Sequence, residues 1–282
     1  MKIEILDAAG SVIRKYSSNK TEPLDEPLDP DDKKPEKQIK PEEGLNRFVW
    51  DLHYDAANRV PGYFLWEYND GARGPLALPG NYQVRLTLIA NGSTANGKTL
   101  TAPFEVKIDP RVTTSQSDLE KQFKLQMDVR EQLNRVYGAV NQIQDVREQL
   151  GGLKKRLVPG DSTKALFDGA SALDAKLIEV RDPLINFKIS ASEDSLAYAP
   201  GIDARLAFLS MAVAGFADSA PTEAQYQEFD KLKKQTDELL ARWEQVKNAD
   251  ITTFQKLAAE QNIHSIYVPD VRSERVQGGG EE

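Results

Sequence analysis

The chain has 282 residues, with 36 basic and 44 acidic side chains and a formal net charge of -8 at pH 7. This acidic balance provides no basic stripe that could neutralise phosphates, so we expect no nucleic-acid partner. Cysteine is absent, which excludes disulfides, thiolate zinc sites and thiol catalysis. The length allows two ordinary domains, each large enough for its own core.

The N-terminal part of the chain alternates apolar and polar residues, which is the period of half-buried strands. Five strands are predicted, over residues 2–6, 12–16, 45–52, 81–90 and 98–108. An immunoglobulin-like sandwich has roughly seven. We therefore expect residues 1–110 to form an incomplete immunoglobulin-like β-sandwich, which a strand over 63–68 or one upstream of Met1 would complete.

The strand predicted over residues 45–52 has the clearest alternation. Phe48, Trp50 and Leu52 would point to the core, and the residues between them to solvent. By contrast, residues 17–43 combine repeated prolines with dense charge and few large apolar side chains. Such a composition does not offset the entropy cost of ordering, so it predicts a mobile insertion between two strands.

From residue 111 onward, apolar residues recur every three or four positions, which is the helical period. Four main helices are predicted, over about 119–157, 162–181, 202–216 and 223–246, with a short fifth over 252–261. They predict an antiparallel bundle over 111–268, followed by a disordered tail over 269–282. The first helix also has the apolar seam of a dimerising coiled coil, but the apolar faces of its neighbours are sufficient to cover it.

The sequence nominates no catalytic residue, metal ligand or cofactor site. Only two histidines are present, His53 and His264, and they lie in different predicted modules. No dinucleotide fingerprint or P-loop occurs. Met1 is followed directly by a strand pattern rather than a signal peptide, and the longest apolar run, 207–217, is too short to span a membrane.

One aromatic group is a candidate contact site for a ligand or a neighbouring domain. It consists of Tyr63, Phe64, Trp66 and Tyr68. Exposed aromatic faces stack on sugar rings or anchor a partner. We favour packing in the core or between domains over ligand binding, because the same side chains would cover one end of a sandwich.

Several short motifs occur together in this chain: GLNRFVWDL at 44–52, PG at 61–62, LW at 65–66, RGPLA at 73–77, PGNYQVRL at 79–86 and DPR at 109–111. The combination resembles the C-terminal part of large bacterial BNR-repeat, sortilin-like β-propeller proteins, which are often labelled glycosyl hydrolases. Residues 3–14 are similar to the immunoglobulin-like domain of flagellar hook-cap proteins. The helical part fits through DPL at 182–184 and PT at 221–222.

The resemblance implies a noncatalytic C-terminal structural or interaction module of a larger secreted or periplasmic protein. In that family the propeller carries any glycosidase-like or ligand-binding role, so no catalytic residue maps onto this chain. The implied partner is the propeller of the same parent protein. Two alternatives stay open: a glycoside hydrolase with an acidic pair between the two modules, and a carbohydrate-binding or adhesion module that uses the aromatic group over 63–68.

Overall fold

The computed structural model describes residues 1–18, 39–63, 65, 73–88, 98–157, 160–215, 218–261, 263 and 266–270. About 53% of these residues are helical, and their strands form a single small antiparallel sheet. The prediction of an all-β immunoglobulin-like sandwich ahead of the bundle is therefore wrong. A sandwich needs a second sheet facing the first, and the described ranges contain one sheet only.

Four strands make up the sheet: β1 (Lys2–Leu6), β2 (Val12–Ser17), β3 (Gly80–Thr87) and β4 (Thr99–Val106). Their order is β2-β1-β3-β4, and every neighbouring pair is antiparallel. The first two predicted strands, over 2–6 and 12–16, are confirmed, and they pair as a hairpin. Its turn is closed by the Asp7 carboxylate, which accepts hydrogen bonds from the backbone N–H groups of Ala9 and Ser11, and Gly10 supplies a φ of 84°.

The two faces of the sheet differ in polarity. Ile3 and Ile5 are buried on one face, together with Tyr82 of β3. On the other face Glu4 accepts hydrogen bonds from Arg85 at 2.7 Å and is paired with Lys2 at 2.5 Å. Burial raises the pKa of Glu4, but the hydrogen bonds from the two cations outweigh it and hold that pKa below its usual value.

The segment over residues 45–52 is not a strand, which corrects the prediction made from its alternation. Two of its aromatic side chains do pack on the sheet, as predicted. The Phe48 ring contacts the Tyr16 ring edge-on at 4.6 Å between centroids, and the Trp50 ring contacts the Tyr82 ring at 5.9 Å. The segment lies over the apolar face as a cover, and the nearest ladder contact is one isolated bridge between His53 and Leu76. Alternation reports which side chains are buried, but it does not report whether the backbone has a partner strand.

Five α-helices follow the sheet in the described part of the chain: α1 (Gln116–Arg156), α2 (Asp161–Leu184), α3 (Ile202–Ala214), α4 (Glu223–Gln245) and α5 (Thr252–Glu260). A 3₁₀ helix (Ser192–Leu196) lies between α2 and α3, and a π-helical segment (Val246–Ile251) joins α4 to α5. Side chains cap two of the helices: Ser115 accepts from the Asp118 N–H at the start of α1, and Thr222 forms a capping box with Gln225 at the start of α4.

Glycine and proline residues interrupt the helices little. Helix α1 runs without a break through Gly151 and Gly152, although glycine is a poor helix former. Pro183 lies inside the last turn of α2, one residue before the helix ends. Pro200 lies just outside α3, before the N-cap residue Gly201. The π-helical continuation of α4 was not predicted.

The bundle core is built around α1, whose residues Val129, Val136, Val140 and Ile143 are completely buried. Four residues that precede the helices, Ala57, Val60, Tyr63 and Leu65, belong to this same core. The sheet has a separate, smaller apolar cluster. The division of the chain at residue 110 stays a prediction.

Two further predictions concern residues outside the described ranges. The predicted insertion over 17–43 is described only at its two ends, where the Ile39 N–H donates to the Ser17 carbonyl at 3.1 Å. Of the predicted tail over 269–282, only the first two residues are described. No described helix is long and apolar enough to cross a membrane.

Candidate functional site

The sheet is attached to the bundle by residues 53–63, here called the joining segment. Its first residues belong to the sheet, its middle lies on α1 and its last residues enter the bundle core. The far end of this junction meets Asp203, a completely buried carboxyl group, which makes the junction the candidate site.

At the sheet end, His53 has a structural role. Its Nδ1–H donates to the Gly74 carbonyl at 2.7 Å, and its own carbonyl accepts from the Trp50 indole at 2.9 Å. Burial lowers the pKa of His53, so the imidazole is neutral at pH 7. A Cβ at Gly74 would lie 2.2 Å from the Tyr54 carbonyl oxygen, so only glycine permits this approach.

The middle of the joining segment is held on α1 by one aromatic contact and two side-chain amides. The Tyr54 ring meets the Phe123 ring edge-on at 5.0 Å. The Asn58 N–H donates to the amide oxygen of Asn134 at 2.8 Å. Two helical turns further along α1, the Asn141 amide donates to the Arg59 carbonyl at 3.0 Å. These bonds satisfy backbone groups of a segment that has no regular secondary structure.

At its far end, Tyr63 meets two polar side chains inside the bundle. Asp203 from the first turn of α3 is completely buried, and Tyr137 from α1 is 2% exposed. The Tyr63 ring packs edge-on against Phe187 at 5.5 Å. The packing here is close enough to require glycine at position 201, because a Cβ there would lie 2.7 Å from Asp203 Oδ1 and 2.8 Å from the Cα of Ile185. Three parts of the chain thus meet at one carboxyl group.

The electrostatics of this cluster are unusual for a carboxyl group. Burial raises the pKa of Asp203 to about 7, although the Ala204 N–H and the hydroxyls of Tyr63 and Tyr137 act to lower it. Neither carboxylate oxygen has a hydrogen bond of normal geometry to the described residues. Burial also raises the pKa of both tyrosines. The cluster can hold a proton near neutral pH, but it is sealed from solvent.

The aromatic group predicted as a contact site is only partly described. Tyr63 is 7% exposed and presents no free face to a ligand. Phe64, Trp66 and Tyr68 lie outside the described residues, as does His264. For these residues the prediction of a ligand or interdomain contact stays a prediction.

Asp203 was not singled out from the sequence. It is one of 44 acidic residues, and an aspartate in the first turn of a helix is ordinarily solvated there. The available signal was its position between Ile202 and Ala204 in the most apolar helix of the chain. Burial of the whole helix decides its environment, and burial depends on distant residues.

Across the described residues, no group of three or more His, Cys, Asp or Glu side chains is placed to hold a metal ion. Comparison with protein-family models, with curated proteins and with solved structures found no match to the chain. The predicted relation to BNR-repeat propeller proteins therefore stays a prediction.

Proposed function

We propose that the chain is a noncatalytic interaction module that docks through its sheet onto a β-propeller of a larger secreted or periplasmic protein. The proposal rests on the distribution of exposed apolar side chains along the chain. Among the described residues, eight of the fourteen exposed large apolar side chains come before residue 110, although most of the described residues come after it. Exposed apolar surface concentrated in one part of a protein is typical of an interaction site.

The sheet register shows where this surface lies. Tyr16, Ile3, Leu86 and Leu100 form one row across the four strands on the apolar face. Phe48 covers the row at Tyr16, and Ile3 is 8% exposed. At the β4 end of the row, Leu100 is 52% exposed. Leu88, which comes directly after β3 and continues its apolar face, is 44% exposed. The apolar face is therefore covered over β1 and, in β4, at Phe104, which packs against Trp50 and Tyr82, whereas it is uncovered at the Leu100 end of β4.

The junction supports a structural role over a catalytic one. Glycoside hydrolysis needs two carboxyl groups facing a cleft. Asp203 is the buried carboxyl group at the junction, and the side chains that act on its pKa are two tyrosines rather than a second carboxylate. His53 and the asparagines Asn134 and Asn141 are committed to backbone groups. No observation on the described residues favours the glycosidase or carbohydrate-binding alternatives.

The test combines a genomic observation with a binding measurement. We expect the reading frame upstream of Met1 to encode a propeller with repeated Asp-box turns, and that propeller to bind this chain in trans. Leu100→Asp should weaken binding by at least about tenfold, because it charges the centre of the apolar contact. Phe167→Asp, at a 48% exposed position on α2, is the matched control and should leave binding unchanged.

Two results would contradict the proposal. One is propeller binding that is insensitive to Leu100→Asp. The other is hydrolysis of aryl glycosides by the purified chain that a single carboxylate substitution abolishes.

A further inference from the structure

The last described residues, Ile266 to Asp270, lie against α1 and α5 and are here called the C-terminal segment. Ile266 is buried in the bundle core and Val268 packs against that core, whereas Tyr267 between them is 66% exposed. This alternation is that of an extended chain with every second side chain facing a surface.

Glutamine side chains hold the backbone of this segment. Gln149 binds both polar groups of Tyr267: its amide donates to the Tyr267 carbonyl at 3.0 Å, and its oxygen accepts from the Tyr267 N–H at 3.0 Å. The Gln142 amide donates to the Pro269 carbonyl at 2.7 Å. From α5, the Gln255 amide donates to the Ile266 carbonyl at 2.6 Å.

One glutamine of the groove is held in place by a contact inside the bundle as well as by the segment. Gln142 and Gln149 are seven residues apart on α1, so they project from the same helical face. Gln142 is 8% exposed, and its oxygen accepts from the buried Trp243 indole at 3.1 Å, which leaves its amide N–H groups for the segment. Such support fixes the orientation of the glutamine and lowers the entropy cost of binding.

Recognition of this kind does not depend on which chain supplies the segment. The hydrogen bonds go to backbone groups, and selectivity comes from two apolar side chains at alternate positions. A second copy of the protein presents the identical Ile266-Tyr267-Val268-Pro269 sequence. We propose that the groove formed by Gln142, Gln149 and Gln255 is a peptide-binding site, and that it takes the C-terminal segment of a second copy when two chains exchange segments. This inference is independent of the proposed docking of the sheet.

Exchange competes with the intramolecular contact. The covalent connection gives the chain's own segment an effective concentration of roughly millimolar, so exchange becomes visible only when the intramolecular contact is removed or the protein is concentrated. The decisive experiment therefore uses two complementary full-length variants. The acceptor carries Val268→Asp, which disables its own segment and leaves its groove intact. The donor carries Gln149→Ala and Gln255→Ala, which disable its groove and leave its segment intact.

We expect each variant to be monomeric alone in sedimentation velocity and the mixture to form a 1:1 heterodimer whose fraction rises with protein concentration, because no intramolecular segment competes for the acceptor's groove. The matched control is a donor that also carries Val268→Asp, and it should not associate with the acceptor. A mixture that stays monomeric while both variants retain the circular dichroism spectrum of the native chain overturns the proposal.

A second measurement covers the case in which the acceptor variant fails to fold. A labelled synthetic peptide of residues 263–270 is titrated into full-length Tyr267→Pro/Val268→Ser, whose own segment has lost an N–H donor and an apolar side chain and so competes less for the groove, and into the same variant carrying Gln149→Ala. We expect saturable binding to the first protein, weakened at least about tenfold by Gln149→Ala, which corresponds to the loss of two hydrogen bonds to backbone groups. Equal binding to both proteins overturns the proposal. Equally tight binding of unrelated peptides with apolar residues at alternate positions overturns the assignment to a second copy.

Discussion

At the scale of single residues, Asp203 is the position where the protein departs most from ordinary protein chemistry. An ionised carboxylate without water or a cation is costly to bury, so the protonated form is favoured. Its pKa rises from an ordinary 3.8 to about 7 in the folded chain. Tyr63 and Tyr137 provide the polar environment that makes the burial tolerable, because their hydroxyls stabilise the ionised form in part.

This difference in pKa predicts that Asp203 lowers stability as the pH rises. Below about pH 4 the group is protonated in both states and has no effect. Between pH 4 and 7 the unfolded chain releases the proton while the folded chain retains it, so the free energy of unfolding falls. Above pH 7 the loss is complete and amounts to roughly 4 kcal/mol, the equivalent of a pKa change from 3.8 to about 7.

Asp203→Asn should remove this penalty. Urea denaturation should show the variant to be more stable than the native chain at pH 8, by about 2 to 4 kcal/mol, and equally stable at pH 4. Comparing the two proteins at each pH cancels the titration of every other group. Asp168→Asn, at an exposed ion pair with Lys164 on α2, is the control and should change stability by less than about 0.5 kcal/mol. A variant that is less stable than the native chain at pH 8 would show that the carboxylate is needed in its ionised form.

At the scale of elements, two glycines in helical contexts should respond oppositely to alanine. A Cβ at Gly151, inside α1, has no heavy atom within 4 Å, so Gly151→Ala should raise stability by about 0.5 to 1 kcal/mol through helix propensity. A Cβ at Gly201 would lie 2.8 Å from both the Ile185 Cα and the Leu184 carbonyl oxygen. Gly201→Ala should therefore lower stability, by about 1 to 3 kcal/mol. Thermal unfolding of the two variants measures both effects, and a shift in the same direction for both would contradict the packing described around Asp203.

The two outer edges of the sheet are protected differently. Along β2, the Ile13 carbonyl accepts from the Asp55 N–H at 2.9 Å, and the Ser17 carbonyl accepts from the Ile39 N–H at 3.1 Å. Among the described residues, no segment pairs with the outer edge of β4. The Leu88 N–H donates to the Lys98 carbonyl, so these two residues form a hydrogen-bonded pair. In an antiparallel ladder every second pair is hydrogen-bonded, and the residues of the pairs between them direct their N–H and C=O groups away from the partner strand. By this alternation Pro103 has its missing N–H on the open edge, where it breaks the row of donors available to another strand.

Pro103→Thr should therefore promote self-association through the edge of β4. Light scattering should show oligomers that grow with concentration and dissolve in denaturant, whereas the native chain stays unchanged under the same conditions. The matched control moves the proline by two residues, to the next position that faces outward: Thr101→Pro combined with Pro103→Thr should remain as soluble as the native chain. Association of the double variant equal to that of Pro103→Thr would show that the edge proline is not the protective feature.

At the scale of the whole molecule, the joining segment determines whether the sheet and the bundle unfold together. Ala57, Val60 and Tyr63 contribute to the bundle core, while residues just before them belong to the sheet cluster. In the described part of the chain, the segment connects the sheet to the helices, for example through the Tyr54 ring on Phe123, whereas the strands pack mainly on one another. Loss of its anchor should uncouple the two parts.

Tyr63→Ala removes the largest side chain of that anchor. We expect the free energy of unfolding to fall by about 3 to 5 kcal/mol, as for other buried aromatic truncations. Hydrogen exchange should accelerate in the joining segment and the sheet well before it does in α1. Tyr226→Ala, at a 36% exposed position on α4, is the matched control and should cost less than about 1 kcal/mol. Uniform acceleration of exchange across the sheet and α1 would show that the two parts unfold as one unit regardless of Tyr63.

The sequence by itself determined the elements whose formation depends on neighbours a few residues away. The hairpin over β1 and β2 follows from alternation around a turn with Asp7 and Gly10, and the starts of α1 and α4 follow from Ser115 and Thr222. Helical periodicity located the five helices because each apolar stripe is a local pattern.

Only the tertiary structure decided how those elements are completed. Whether the residues around Trp50 form a strand depends on a partner backbone, and the sheet uses β3 beside β1 while that segment serves as a cover. Whether Asp203 is solvated or buried depends on Tyr63 and Tyr137, which lie far from it in the chain. Strand pairing and desolvation are both set by distant residues, and no local periodicity records them.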